Sequence, residues 1–137
     1  MNILRPAIEA LALDSAIWND VGGRFYYQSA GSPDYPRVVF SRISGVPDNV
    51  FVKKGESVLI QFDLYSAKSA GITQIETMET DLMALFDDCS LDLAGNTLYG
   101  FTRQNTISIE EEVDALPDGT TTVVHIAIDY EANYQAT

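Results

Sequence analysis

Near the N-terminus, apolar residues recur with the spacing of one face of a helix. They are Ile3, Leu4, Ala7, Ile8, Leu11, Ile17 and Trp18, close to the i, i+3, i+4 pattern of an amphipathic helix. Pro6 falls in the first turn, where its missing N–H does no harm. Asp14 and Ser15 either break the run or cap a second short turn, and Gly22-Gly23 ends it. The pattern predicts a helix over about 3–18.

Strand patterns follow in series. Residues 24–27 are short and aromatic, and Tyr35-Pro36 opens a second strand over 37–44. The third, over 56–65, places Val58, Ile60, Phe62 and Leu64 on one face and mainly polar residues on the other. The segments 28–35 and 45–55 are rich in Gly, Pro, Asp and Asn, which predicts exposed loops.

A second amphipathic helix is expected over about 67–87, with Ser66 or Ser69 as its N-cap. Its apolar stripe comprises Ile72, Ile75, Met78, Leu82, Leu85 and Phe86, a spacing that is typical of core packing. Asp87 and Asp88 follow, where a helix C-terminus disfavours anions. We therefore expect the helix to end before them.

Two more strands complete the pattern. The first covers 97–109, with Gly100 as a candidate bulge, and the last covers about 120–134. In the last strand Thr122, Val124, Ile126, Ile128 and Tyr130 share one face, and Val123, His125, Ala127, Asp129 and Glu131 share the other. The prediction is one α+β domain over 1–137, with an antiparallel sheet of four to five strands, two helices packed on one face, and the order α-β-β-β-α-β-β.

Charge is distributed unevenly along the chain. The net charge is −12, yet residues 1–68 hold seven basic and seven acidic side chains, whereas residues 69–137 hold thirteen acids and Arg103 alone. This asymmetry indicates either one polarised surface or a generally acidic, soluble one. Tight binding to nucleic-acid phosphates is disfavoured, because that needs clustered Lys or Arg.

Other features of the sequence argue against a membrane protein, a secreted protein and a disulfide-bonded protein. The apolar runs are far shorter than the roughly 20 residues of a membrane helix, and the N-terminal stretch lacks the features of a secretory signal. We therefore expect that the protein does not associate with a membrane and that it is made in the cytoplasm. Cys89 is the single cysteine, so an intrachain disulfide is excluded, and we expect this residue to be buried or partly buried.

Little in the sequence indicates catalysis. His125 is the single histidine, and its neighbours along the chain offer no nucleophile to activate, although partners can converge from distant positions. The densest acidic cluster, predicted to be a turn, comprises Glu110, Glu111, Glu112, Asp114 and Asp118. It lacks the alternating ligands and central glycine of a calcium loop. We expect no enzyme, no cofactor and no metal site.

Three segments carry a resemblance to a known family. They are Asp20-Val21-Gly22-Gly23-Arg24-Phe25-Tyr26-Tyr27, the strand that opens at Tyr35-Pro36, and Gln61-Phe62-Asp63-Leu64-Tyr65-Ser66 before the second helix. In this order, after an N-terminal helix, they resemble the tail-completion or tail-terminator proteins of long-tailed bacteriophages. The resemblance covers about residues 3–88, and none of its motifs is catalytic.

The resemblance implies a structural protein of the virion, located at the head-proximal end of the tail. Such proteins cap the tail tube, stop its elongation and present a surface for joining the head. The expected partners are other copies of the chain in a ring, typically of six subunits, the tail tube protein, and a head-completion or connector protein. DNA would pass through the lumen without specific binding.

A closed head-to-tail ring needs two different complementary patches on each subunit. The candidates are the loops 28–35 and 47–54 on one side and the acidic cluster on the other. We hypothesise that Lys53 and Lys54 meet Glu110, Glu111 or Glu112 of a neighbouring copy. A different class remains open, in which the acidic surface mimics DNA and inhibits a DNA-handling protein as a monomer or dimer.

Overall fold

The computed structural model describes residues 2–29, 31, 34–47, 55–112 and 122–137. These residues form three α-helices, one short 3₁₀ helix and five strands. In chain order they are α1 (Leu4–Ala12), α2 (Ala16–Asp20), β1 (Phe25–Tyr27), β2 (Arg37–Pro47), β3 (Gly55–Ala67), the 3₁₀ helix (Lys68–Ala70), α3 (Ile72–Phe86), β4 (Asn96–Glu112) and β5 (Thr122–Ala136).

The five strands form one sheet in the order β1-β2-β3-β5-β4. The three pairs from β2 to β4 are antiparallel, but β1 lies parallel to β2. The α+β class is therefore confirmed, whereas the prediction of a purely antiparallel sheet is wrong. Alternation within a strand specifies its buried face and not the direction of its neighbour. The direction is set here by backbone bonds from Val38 to Arg24 and from Gln28 to Phe40.

The predicted N-terminal helix is two helices. Asp14 has a positive φ of 60°, which interrupts the first. Ser15 then caps the second, because its hydroxyl accepts a hydrogen bond from the backbone N–H of Trp18. Gly22 and Gly23 both have positive φ and end α2, as the sequence predicted. The element order consequently gains one helix.

The start of α3 also differs from the prediction. Gly71 is its N-cap, with φ 84° and no capping side chain, so neither proposed serine cap is correct. The hydroxyl of Ser66 instead donates to Oε1 of Gln74. Ile72, now the first helical residue, is 59% exposed and lies outside the core. The C-terminal prediction is confirmed, since α3 ends at Phe86.

The core lies between the helices and one face of the sheet. Val58, Ile60, Phe62 and Leu64 are fully buried, as predicted. Phe62 is at the centre of an aromatic cluster, with ring centroids 4.6 Å from Phe86, 5.7 Å from Tyr130, 5.8 Å from Phe40 and 6.3 Å from Phe25. The aromatic cluster is part of one hydrophobic core, to which helices α1 to α3 contribute their buried residues.

Of three predictions about the second half, two need correction and one is confirmed. Glu110, Glu111 and Glu112 are the last residues of β4 and not part of a turn. The predicted bulge at Gly100 is confirmed as a register shift between Leu98 and Gly100. β5 does not have one exposed face, because Val123, His125 and Ala127 are buried as well. β5 lies between β3 and β4, so side chains of neighbouring strands, such as Tyr65 on His125, cover the face that points away from the core.

Candidate interaction surface

The sheet face opposite the core carries a row of polar and aromatic residues across four strands. The register aligns Arg37 of β2, Tyr65 of β3, His125 of β5 and Ile109 of β4. The Arg37 guanidinium lies 5.1 Å from the Tyr65 ring centroid, and the Tyr65 ring stacks on His125 at 4.4 Å. Cation–π and stacking contacts of this kind favour an ordered surface.

His125 is buried on this face and paired with a carboxylate. Its Nε2 lies 2.7 Å from Oδ1 of Asp63. Asp129 lies on the same strand face, and burial, together with the charge of Asp63, raises its pKa. Ser66, the residue after Tyr65 on β3, faces the opposite side of the sheet, where its hydroxyl is bonded to Gln74. The arrangement therefore orients His125 without placing that hydroxyl within its reach.

No group of three or more His, Cys, Asp or Glu side chains suited to a metal ion occurs among the described residues. Cys89 is half-buried, as predicted, and burial raises the pKa of its thiol to about 11. A thiol with a raised pKa is a poor nucleophile at neutral pH. Within the same residues, no helix is long and apolar enough to cross a membrane.

Asp87 joins α3 to the two C-terminal strands. Its Oδ1 accepts a 2.6 Å hydrogen bond from the hydroxyl of Tyr130 in β5, and its Oδ2 lies 3.4 Å from the guanidinium of Arg103 in β4. The next residue, Asp88, donates its backbone N–H to the carbonyl of Phe101. These contacts fix the first part of β4 against the end of α3.

From Thr102 to Ile109, the side chains of β4 are exposed, that of Arg103 included, although they point to both faces of the sheet. Two of them are large and apolar: Ile107 is 45% exposed and Ile109 is 43% exposed. Among the described residues, β4 pairs with β5 alone, so it forms one edge of the sheet. An exposed edge strand is a surface on which another chain can pair.

The structure leaves the predicted interface untested. Lys53, Lys54, Asp114 and Asp118 lie outside the described residues, so their pairing stays a prediction. The backbone of Glu110–Glu112 pairs with Val124, Val123 and Thr122, which places the three glutamates at the end of the β4 edge. Sequence reasoning missed the exposed edge itself, because its signal, a polar strand with two isolated isoleucines, is shared by any half-buried strand.

Comparisons with known proteins define the fold. No family model matches the chain, and no curated protein matches its sequence. The structure is similar to a chain of the "Virion of native gene transfer agent (GTA) particle", with a TM-score of 0.75, 12% identity, and coverage of 98% of this chain and 96% of that chain. The two proteins share a fold over nearly their whole lengths. The fold is thus one that occurs in a gene transfer agent virion.

Proposed function

We propose that this chain is a structural virion assembly protein that caps the tail tube, stops its elongation and provides the interface to which the head joins. The observation that carries the proposal is the shared fold, over nearly the full length of both chains, with a chain of a gene transfer agent virion. The sequence motifs over about residues 3–88 independently resemble tail-completion proteins. Because fold alone does not specify function, the agreement of these two observations is what supports the role.

The proposed protein works as a ring, typically of six copies, between the tail tube protein and a head-completion or connector protein. Each copy needs two different complementary surfaces for such a ring to close. The chain offers two dissimilar sheet edges, the long exposed β4 on one side and β2 with the three-residue β1 on the other. In this role the protein resides at the head-proximal end of the virion tail.

The proposed role is not enzymatic and needs no cofactor. In keeping with this, the sheet holds His125 between the carboxylate of Asp63 and the stacked ring of Tyr65. Buried groups held in this way contribute to structural specificity.

In the proposed ring, the acidic charge would keep DNA from binding to the wall of the channel. Six copies carry about −72 charges, and acidic side chains that face a central channel repel DNA. The genome then slides through the lumen instead of binding to its wall. Neutralising acids of the second half, such as Asp114 and Asp118, should then slow DNA ejection, and unchanged ejection would argue against this part of the proposal.

The genetic test is inactivation of the gene in the virus or particle that encodes it. We expect full heads, unjoined tails and tubes of uncontrolled length, with joining restored by the gene supplied in trans. Normal joined particles in the absence of the gene would refute the proposal. An acidic inhibitor that mimics DNA would instead copurify with a basic DNA-handling protein as a monomer or dimer, and assembly would not depend on it.

A further inference from the structure

Among the described residues, the second half of β4 presents a regular row of backbone groups that no other strand pairs with. After a register shift between Arg103 and Asn105, its pairing with β5 continues without interruption to Glu112. We call the backbone of Asn105–Glu112 that faces away from β5 the β4 edge. The bulges that commonly protect an edge strand lie before this segment, so no bulge within the β4 edge prevents it from pairing.

The hydrogen bonds show which residues face outward. Phe101 lies opposite Ala132, and its carbonyl faces away from β5, where it accepts a hydrogen bond from the backbone N–H of Asp88. In an antiparallel pair, hydrogen-bonded and non-hydrogen-bonded positions alternate along each strand. Thr106 and Ser108 lie opposite Ile128 and Ile126. These two residues are an even number of positions from Ala132 on β5, so they are non-hydrogen-bonded positions as well. The N–H and C=O groups of Thr106 and Ser108 therefore point away from β5, whereas those of Ile107 point toward it.

The other side of the sheet has an edge of matching length. β1 pairs with β2 only from Val38 to Phe40, so within the described residues the backbone of 41–47 lacks a neighbour on that side. We call this the β2 edge. Phe40 lies opposite Phe62, and its carbonyl faces outward to Gln28. Arg42 and Gly45 lie opposite Ile60 and Val58, which point the same way along β3 as Phe62, although a register shift separates Arg42 from Ser44. The β2 edge thus offers outward backbone groups on both sides of this register shift, over about the same length as the β4 edge.

We propose that the β4 edge of one copy pairs antiparallel with the β2 edge of a second copy, so that the sheet continues from subunit to subunit. This inference rests on the proposed ring and names the surface that closes it. The strand directions agree with it. β4 runs antiparallel to β5, β5 to β3, and β3 to β2, so a copy added in the same orientation presents its β2 antiparallel to β4.

Charge favours a head-to-tail contact over a two-fold one. The β4 edge belongs to the half of the chain that holds the whole net charge of −12, and the β2 edge belongs to the neutral half, with Arg42 exposed along it. A head-to-tail contact joins an acidic half to a neutral one. A two-fold β4–β4 contact would bring two acidic halves together, which like charge disfavours.

The test uses a matched pair of proline variants. Ser108→Pro removes an outward N–H and leaves the ladder to β5 intact, which an edge strand tolerates. Ile107→Pro removes an inward N–H and breaks that ladder. Native mass spectrometry and thermal denaturation are measured on wild type and both variants. We expect Ser108→Pro to melt within a few degrees of wild type but to associate about 10- to 100-fold more weakly at each interface. Ile107→Pro should lose thermal stability.

Each outcome is decisive. Wild-type rings with intact Ser108→Pro rings would overturn the edge pairing while leaving the proposed function standing. A wild-type protein that stays monomeric at all concentrations would overturn both, and a wild-type dimer abolished by Ser108→Pro would replace the head-to-tail contact with a two-fold one. If Ser108→Pro fails to fold, amide exchange of the wild type decides. The N–H groups of Thr106 and Ser108 should become protected on assembly, and unchanged exchange would overturn the proposal.

Discussion

The hydroxyl of Tyr130 donates a 2.6 Å hydrogen bond to Oδ1 of Asp87, which ties the central strand β5 to the end of α3. Tyr130 is fully buried, and burial, reinforced by the Asp87 carboxylate, raises the pKa of its phenol strongly. The phenol is therefore a fixed donor at any physiological pH. The contact links the sheet to the helix at the point where β4 begins.

Removing this hydroxyl should destabilise the fold. Tyr130→Phe keeps the packing of the ring but deletes a hydrogen bond to a charged acceptor, which costs about 1.5–3 kcal/mol of unfolding free energy. Urea denaturation measures this loss. Tyr99→Phe is the matched control, because Tyr99 is 63% exposed and should change stability by less than about 0.5 kcal/mol. Equal effects for the two variants would contradict this account of Asp87.

Asp20 should make stability depend on pH. Burial raises its pKa to about 6, and a hydrogen bond with Asp81 and the repulsion from that carboxylate add to the effect. Because the pKa is higher in the folded state than in the unfolded one, this contribution is present below about pH 4 and is lost as the pH rises through 6. Asp20→Asn should therefore stabilise the protein at pH 8 and give no gain at pH 4.

The expected gain at pH 8 is about 1 kcal/mol, since solvent at this partly exposed site screens much of the shift. Chemical denaturation of wild type and variant at several pH values measures the difference. Asp92→Asn, at an exposed position, is the control and should show no such trend. A gain that is equal at pH 4 and pH 8 would show that the ionisation of Asp20 is not its cause.

Phe62 should be the most sensitive core position. It is fully buried and contacts four other aromatic rings, so Phe62→Ala should cost about 3–5 kcal/mol. The measurement is the midpoint of urea unfolding, with circular dichroism as the signal. Leu13→Ala is the control, because Leu13 is 55% exposed and its truncation should be nearly neutral. A mild effect of Phe62→Ala would mean that the aromatic cluster does not organise the core.

The predicted contact of Lys53 and Lys54 with the glutamates at the end of β4 can be tested by exchange of charge. Reversing both lysines to glutamate should slow ring assembly about tenfold at low salt, with a smaller effect at high salt. Changing Glu110 and Glu111 to lysine in the same chain should restore the rate. Light scattering measures the rate of ring assembly in each variant. An unchanged rate in the variant with Lys53 and Lys54 reversed to glutamate would refute the contact.

Much of the fold could be predicted from local patterns. The alternation of Val58, Ile60, Phe62 and Leu64 predicted the buried face of β3, and the glycine pair predicted the end of α2, since both depend on residues close in sequence. The direction of β1 could not be predicted, because it depends on pairing with β2 across a loop. The double burial of β5 likewise follows from its central position, which its own alternation does not reveal.

The candidate surface could be predicted only in part. The polar sides of β3 and β5 were assigned correctly as shared faces, but the 2.7 Å contact between Asp63 and His125 joins residues 62 positions apart. Such a contact depends on sheet order and register, which are tertiary properties. The exposed β4 edge depends on the same order, because a strand becomes an edge only through the absence of a neighbour.

The most direct test of the proposed role is a tube assembly assay. Purified tail tube protein is polymerised with and without this chain, and tube lengths and the position of the labelled chain are measured by electron microscopy. We expect growth to stop and the label to lie at one end of each tube, as a ring in end-on views. Unchanged tube lengths with no label at the ends would contradict the account.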